Sequence, residues 1–118
     1  MTHGEIDGLL LKHVFGEDPD KPRAWYGLFL RGGRFLCECW AGIGLVVEEM
    51  RKKGWAGSCE VWPRALASLD EAAFIKESDD PDGDIIQFSQ QHSSIFLAVS
   101  LAALRAVGVV IPEEEVPK

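Results

Sequence analysis

No apolar run in this 118-residue chain is long enough to cross a bilayer: the longest, Ile95 to Val99, falls far short of the roughly 20 residues a spanning helix needs. The N-terminus, Met1-Thr-His-Gly-Glu5, is not basic and leads into no unbroken apolar stretch, so a signal peptide is not expected. These absences predict a cytoplasmic protein. Also missing are Gly-x-Gly-x-x-Gly, a Gly-Lys-Ser/Thr phosphate loop, His-Glu-x-x-His and Gly-x-Ser-x-Gly, which removes the standard dinucleotide, nucleotide, zinc-protease and hydrolase signatures. Cysteine is scarce and odd in number. Cys37-x-Cys39 is tighter than a zinc knuckle, and Cys59 with the scattered His3, His13 and His92 would have to complete the site. Reduced thiols are therefore expected, with no disulfide framework, metal or cofactor. Positive charge is in the minority. Twelve basic against 19 acidic side chains give a net charge of −7, which opposes nucleic acid and anionic lipid and suits a basic protein surface.

What is present is enough for a core. Four Trp, six Phe and many Leu and Val supply it, and a chain of this length fits one domain, expected over residues 1–112 with an acidic tail at 113–118. Thr2-x-x-Glu5 has the spacing of a capping box, and Ile6, Leu9, Leu10 and Val14 then share a helical face. Glu17 to Pro22 reads as a loop. Trp25 to Leu30 has the aromatic content of a strand, and Arg31-Gly-Gly-Arg34 that of a tight reversal before Phe35-Leu36, which predicts a hairpin. From about Trp40 to Lys53 the period is helical, with Ile43, Val46, Val47 and Met50 on one face. Gly42 and Gly44 inside it point to close packing or a late helix start. Strands are expected at Ser58–Trp62, Ala72–Lys76 and Ile85–Ser89, with a long acidic turn between the last two. Arg64 to Asp70 suits a helical turn or an extended bridge equally. The best-marked element is the last helix, which Ser93 or Ser94 can cap, which carries Phe96, Leu97, Leu101, Leu104 and Val107 on one face and alanines on another, and which Gly108 can end. Val109 to Ile111 then forms a short strand or packs in extended form.

This order predicts an α+β fold: a mostly antiparallel sheet of about four to five strands covered by three helices, a helix-sheet-helix sandwich. Three blocks, Glu5-Ile-Asp-Gly-Leu-Leu10, Val46-Val-Glu-Glu-Met-Arg51 and Ala102-Ala-Leu-Arg-Ala-Val-Gly-Val109, together resemble the phage ABA-sandwich domain family of small phage and prophage proteins. The resemblance spans nearly the whole chain. It departs where the family often has Tyr-Ser-x-Asp, here Leu36-Cys-Glu-Cys39, and where it often has Trp, here Gly44. It implies a sandwich fold and a viral setting, in which binding proteins that counter host defences are common; it implies no catalytic activity.

Two surfaces are candidates for function. Between residues 70 and 84, Asp70, Glu71, Glu77, Asp79, Asp80, Asp82 and Asp84 face only Lys76. A hairpin tip carrying Glu77, Asp79, Asp80, Asp82 and Asp84 could dock into the arginine- and lysine-lined groove of a host defence effector, as an anti-CRISPR-like inhibitor does, by placing charge where phosphates would lie. The ligand-binding alternative gathers Arg51 and Arg105, with Arg31 or Arg34, around Trp25 and Trp62 to sequester a cyclic nucleotide messenger, with a homo-oligomer whose interfaces build the pockets as one form of it. Asp80-Pro-Asp-Gly-Asp84 is not a calcium loop, since counting from Asp80 puts Ile85 at the sixth position, where the loop needs Gly, and Gln91 at the twelfth, where it needs a bidentate Glu. A Cys59 dyad with His13 or His92 has no local support, so an enzyme is not expected.

Overall fold

Thr2 and Glu5 do form the capping box that their spacing predicts: the Glu5 amide donates to Thr2 Oγ1 at 3.1 Å and the Thr2 amide to Glu5 Oε1 at 3.2 Å, satisfying exposed donors at the start of α1 (His3–His13). The computed structural model describes residues 1–21, 23–61, 63–65, 68–78 and 82–117. Among them the elements that follow are α2 (Ala24–Arg31), a 3₁₀ turn at Leu36–Glu38, α3 (Trp40–Lys52), β1 (Ala56–Glu60), β2 (Asp70–Glu77), β3 (Ile85–His92), α4 (Ile95–Ala106) and a second 3₁₀ turn at Glu113–Glu115. The fold is α+β: four helices and a three-stranded antiparallel sheet packed against helices, with strand order β1-β2-β3.

The expected first hairpin is absent. Trp25 to Leu30 lies in α2, and Gly32-Gly33 ends that helix: Gly33 has φ +73° and the Arg34 amide donates back to Phe29 O at 3.0 Å, a left-handed stop. The aromatic residues that suggest a strand serve helical packing, since Trp25 and Phe29, one turn apart, meet edge to face with centroids 6.2 Å apart, and Phe15 of the preceding segment lies 5.3 Å from Trp25. Losing that hairpin, and finding no strand at Val109 to Ile111, reduces the expected four or five strands to three and raises the helices from three to four among the described residues. β1 starts two residues earlier than predicted because Gly54, at φ +93°, reverses the chain directly after α3.

Strand alternation gives the sheet two unlike faces. Gly57, Ala72, Phe74 and Phe88 face the helices, where Phe88 meets Trp55 with centroids 5.9 Å apart. Ser58, Glu60, Ile75, Glu77, Ile85 and Gln87 occupy the other face and are half-buried or exposed. The sheet packs mainly on α4, and β1 also on α3, whereas α1 packs on α4 and the first 3₁₀ turn rather than on the sheet. The layers therefore run sheet, α3 with α4, then α1, in place of helices on both faces. α4 is the centre: every residue from Leu97 to Leu104 is buried, and its small Ala98, Ala102 and Ala103 let neighbours approach on several sides. Gly108 stops it in the left-handed region, as expected, but Ser94 makes no side-chain cap. Its amide donates instead to His92 Nδ1 at 2.9 Å, so Nε2 carries the ring proton and donates to Pro117 O at 2.6 Å.

Of the ambiguous segment Arg64 to Asp70, Leu66 and Ala67 lie outside the described residues, and Arg64 joins its two ends. Its guanidinium grips buried Asp70 with two bonds, at 3.1 and 2.9 Å, and Ser93 O at 2.7 Å. Arg64→Ala is expected to lower the unfolding free energy by about 1–3 kcal/mol, below the value for a fully buried pair because the guanidinium is half exposed. Urea titration checks this; a change under about 0.5 kcal/mol would rank the pair with ordinary surface bridges.

Candidate functional site

The acidic turn stands where the sequence places it, at the end of the sheet beyond Glu77 and before Ile85. Antiparallel pairing runs to Glu77↔Ile85, and the Ser78 amide donates to Asp84 O at 2.8 Å, so the two strands hold both ends of the turn. Glu77, Asp82 and Asp84 are exposed. Asp79 and Asp80 lie outside the described residues. Basic side chains stand near the same end: β1 follows directly from Arg51, Lys52 and Lys53, and Lys76 places its Nζ 5.5 Å from the Trp55 ring centroid. Two of those cations are committed locally, Arg51 to Glu48 at 3.0 Å and Lys52 to Glu49 at 3.5 Å.

The residues of the ligand-binding alternative have separate surroundings. Arg51 pairs on the α3 surface, Trp25 packs among Phe15, Tyr26 and Phe29, and Arg105 donates to Ser89 O at 2.8 Å. Trp62 lies outside the described residues. Arg105 does line a cleft of about 790 Å³ along the outer edge of β3, between Gln90 and Gln91 on one side and the segment from Val109 to Pro117 on the other. Neither Arg51 nor Trp25 reaches it, and Glu71, Glu113 and Glu114 are also on its walls. A second, apolar groove of about 250 Å³ separates α3 from β1, bounded by Trp40, Ile43, Val47, Cys59, Phe74 and Val99.

Cys59 is exposed, but it faces Ala72 and then Gln90 across the sheet, so β2 stands between it and the strand that carries His92. Two strand spacings, about 10 Å, are too far for proton transfer in a dyad. Among the described residues, no group of three or more His, Cys, Asp or Glu side chains converges on a metal-sized site.

Beyond the residues the sequence singles out lies a buried polar centre. Asp7 has no exposed surface; its Oδ2 accepts from Tyr26 Oη and from the Leu36 amide, both at 2.8 Å, and its Oδ1 from the Cys37 amide at 3.1 Å. Burial pushes its carboxyl above the usual range, and the donors from Leu36, Tyr26 and Cys37 pull it back without cancelling the rise. Burial and the neighbouring Asp7 also raise the Tyr26 hydroxyl and the Cys37 thiol, which leaves Cys37 a protonated core residue and a poor nucleophile. The signal was in the sequence: Asp7 precedes Leu10, Leu11 and Val14 by three, four and seven residues, on the apolar stripe of α1.

Cys39 also serves structure, since its Sγ caps α3 by accepting from the Gly42 amide at 3.4 Å. The α+β fold thus carries a carboxylate-bearing turn, an edge cleft and an apolar groove. The chain matches no family model, no curated protein and no solved structure, and among its described residues no helix is long and apolar enough to cross a membrane.

Proposed function

We propose that this chain is a non-enzymatic phage or prophage counter-defence protein of the host cytoplasm, an anti-CRISPR-like inhibitor that docks its acidic β2–β3 turn on a basic surface of a host immune effector. The observation that carries this reading is that Glu77, Asp82 and Asp84 are exposed together on a turn whose two ends are held by a strand ladder. Exposed carboxylates beside the closed end of the ladder can meet a groove of arginines and lysines, and their long-range field speeds encounter. The net charge of −7 acts in the same direction. The resemblance to phage domains supplies the setting.

Binding to candidate effector complexes at rising salt tests it. Affinity is expected to fall as salt rises, and conversion of Asp79, Asp80, Asp82 and Asp84 to Asn to weaken binding at least about tenfold, mainly through the association rate. Affinity indifferent to salt, or unchanged in the variant, would remove the electrostatic basis. The cyclic-nucleotide sponge ranks second: Arg105 in the edge cleft favours it, while three glutamates on the same walls repel phosphate. A ligand at 100 times its dissociation constant would add about 2.7 kcal/mol of stability, so a thermal shift with one member of a cyclic-nucleotide panel would reverse the ranking.

A further inference from the structure

The two edges of the sheet are treated differently. Along β3, Arg105 bonds Ser89 O and the segment from Val109 to Pro117 lines the cleft beside the strand, with Pro117 O held by His92. Among the described residues β1 has no such cover: Ala56–Glu60 is exposed at every residue and hydrogen-bonds to β2 and to nothing else. Natural sheets blunt an open edge with lysine, proline, a bulge or a covering segment, because a row of unpaired amides and carbonyls recruits another strand. β1, Ala-Gly-Ser-Cys-Glu, contains no lysine, proline or bulge. Trp40, on the apolar groove between α3 and β1, is 59% exposed, and Val61, directly after the strand, is 57% exposed.

We propose that this edge is a self-association surface, where β1 pairs antiparallel with β1 of a second copy about a two-fold axis at Ser58, making one continuous six-stranded sheet. Charge selects this occupant and this direction. β1 begins just after Arg51-Lys52-Lys53 and ends in Glu60. Pairing centred on Ser58 sets Glu60 of each copy opposite Ala56 of the other, beside the basic end of its α3, whereas parallel in-register pairing would set Glu60 against Glu60. The axis stands perpendicular to the sheet, so the helix-bearing faces stay on one side, the two apolar grooves adjoin, and exposed Trp40 and Val61 are drawn toward the junction. The surface lies on a different edge from the acidic turn, and the inference is independent of the proposed function.

Sedimentation velocity of the full chain from low to high micromolar concentration tests this, with circular dichroism confirming that each variant is folded. The wild type is expected to move from the 13.0 kDa chain mass toward twice that value. Ser58→Lys, which sets like charges face to face on the axis, is expected to weaken the dimer at least about tenfold. In a Cys59→Ser background, Ser58→Cys is expected to give a reducible covalent dimer on mild oxidation, since directly opposed residues in an antiparallel pair have Cα separations of about 4.5–5.5 Å, within disulfide reach; Gln87→Cys on exposed β3 is expected to give little. A chain that stays at 13.0 kDa throughout, a dimer that Ser58→Lys leaves intact, or cross-linking as ready at Gln87→Cys would each overturn the proposal. So would β1 amides that gain exchange protection only when a host effector is added, which would assign the edge to a partner's strand.

Discussion

Replacing Asp7 with alanine is expected to lower the unfolding free energy by about 3–6 kcal/mol, because three buried donors, Tyr26 Oη and the amides of Leu36 and Cys37, lose their acceptor at once and each unsatisfied group costs about 1–3 kcal/mol. Against the 5–15 kcal/mol typical of a whole domain, that is enough to leave the variant partly unfolded. Asp7→Asn should fall between: an amide oxygen at the Oδ2 position keeps Tyr26 and Leu36, while its NH₂ is set against the Cys37 amide. Tyr26→Phe removes one donor together with its need for a partner and should cost only about 1–1.5 kcal/mol. Urea midpoints at constant m-value check the series, and an alanine variant within 1 kcal/mol of wild type would show that water or rearrangement satisfies these groups. The pH dependence has a definite sign. Asp7 is raised in the folded state, so its contribution is full below the unfolded carboxyl value near 3.9 and diminishes as pH rises through the higher folded value. The deficit of Asp7→Ala relative to wild type should therefore be greater in mild acid than at neutral pH.

Gly42→Ala is the second large effect, and its sign opposes helix propensity. A Cβ at Gly42 would overlap the Leu36 carbonyl oxygen and lie 2.6 Å from Leu36 Cα and 2.7 Å from its carbonyl carbon, backbone atoms that the Asp7 bond to the Leu36 amide holds in place. Overpacking costs about 1–3 kcal/mol and more where backbone must move, which exceeds the roughly 1 kcal/mol that alanine gains over glycine in a helix. Two positions on, Gly44→Ala meets nothing within 4 Å and should stabilise by up to about 1 kcal/mol while narrowing the apolar groove it borders. Opposite shifts in thermal midpoint for the two variants are the expected signature; a stabilised Gly42→Ala would mean that the α3 start is looser than its contacts imply.

These residues show where the sequence is readable and where it is not. The capping box of α1, the apolar face of α3, the paired β2 and β3 and the glycine stop of α4 depend on local rules, and local spacing reveals them. α2 does not. Its aromatics favour a strand on propensity, and what makes them helical is distant: Tyr26 reaches back to Asp7, and Trp25 packs on Phe15. Two consecutive glycines serve equally as a hairpin turn or a helix stop, so Gly32-Gly33 could not arbitrate. Gly42 and Gly44 look alike in sequence yet differ in the structure, one pressed on Leu36 and the other open, because only the fold brings Leu36 to one of them. For function, the exposure of Glu77, Asp82 and Asp84 follows from their being in a polar turn, whereas the dispersal of Arg51, Trp25 and Arg105 depends on which elements neighbour each other, and composition is silent on that.

The position of α4 in the chain has a consequence for biogenesis. α1, α3 and all three strands have α4 as a packing partner, and translation makes it after every one of them. While residues 95–106 remain in the ribosomal tunnel, the emerged elements can pair with one another, but the faces that pack on α4 stay open and exposed to chaperones and proteases. Native packing then arrives as one late event, and a premature stop before Ile95 would yield a fragment destined for degradation rather than a smaller working protein.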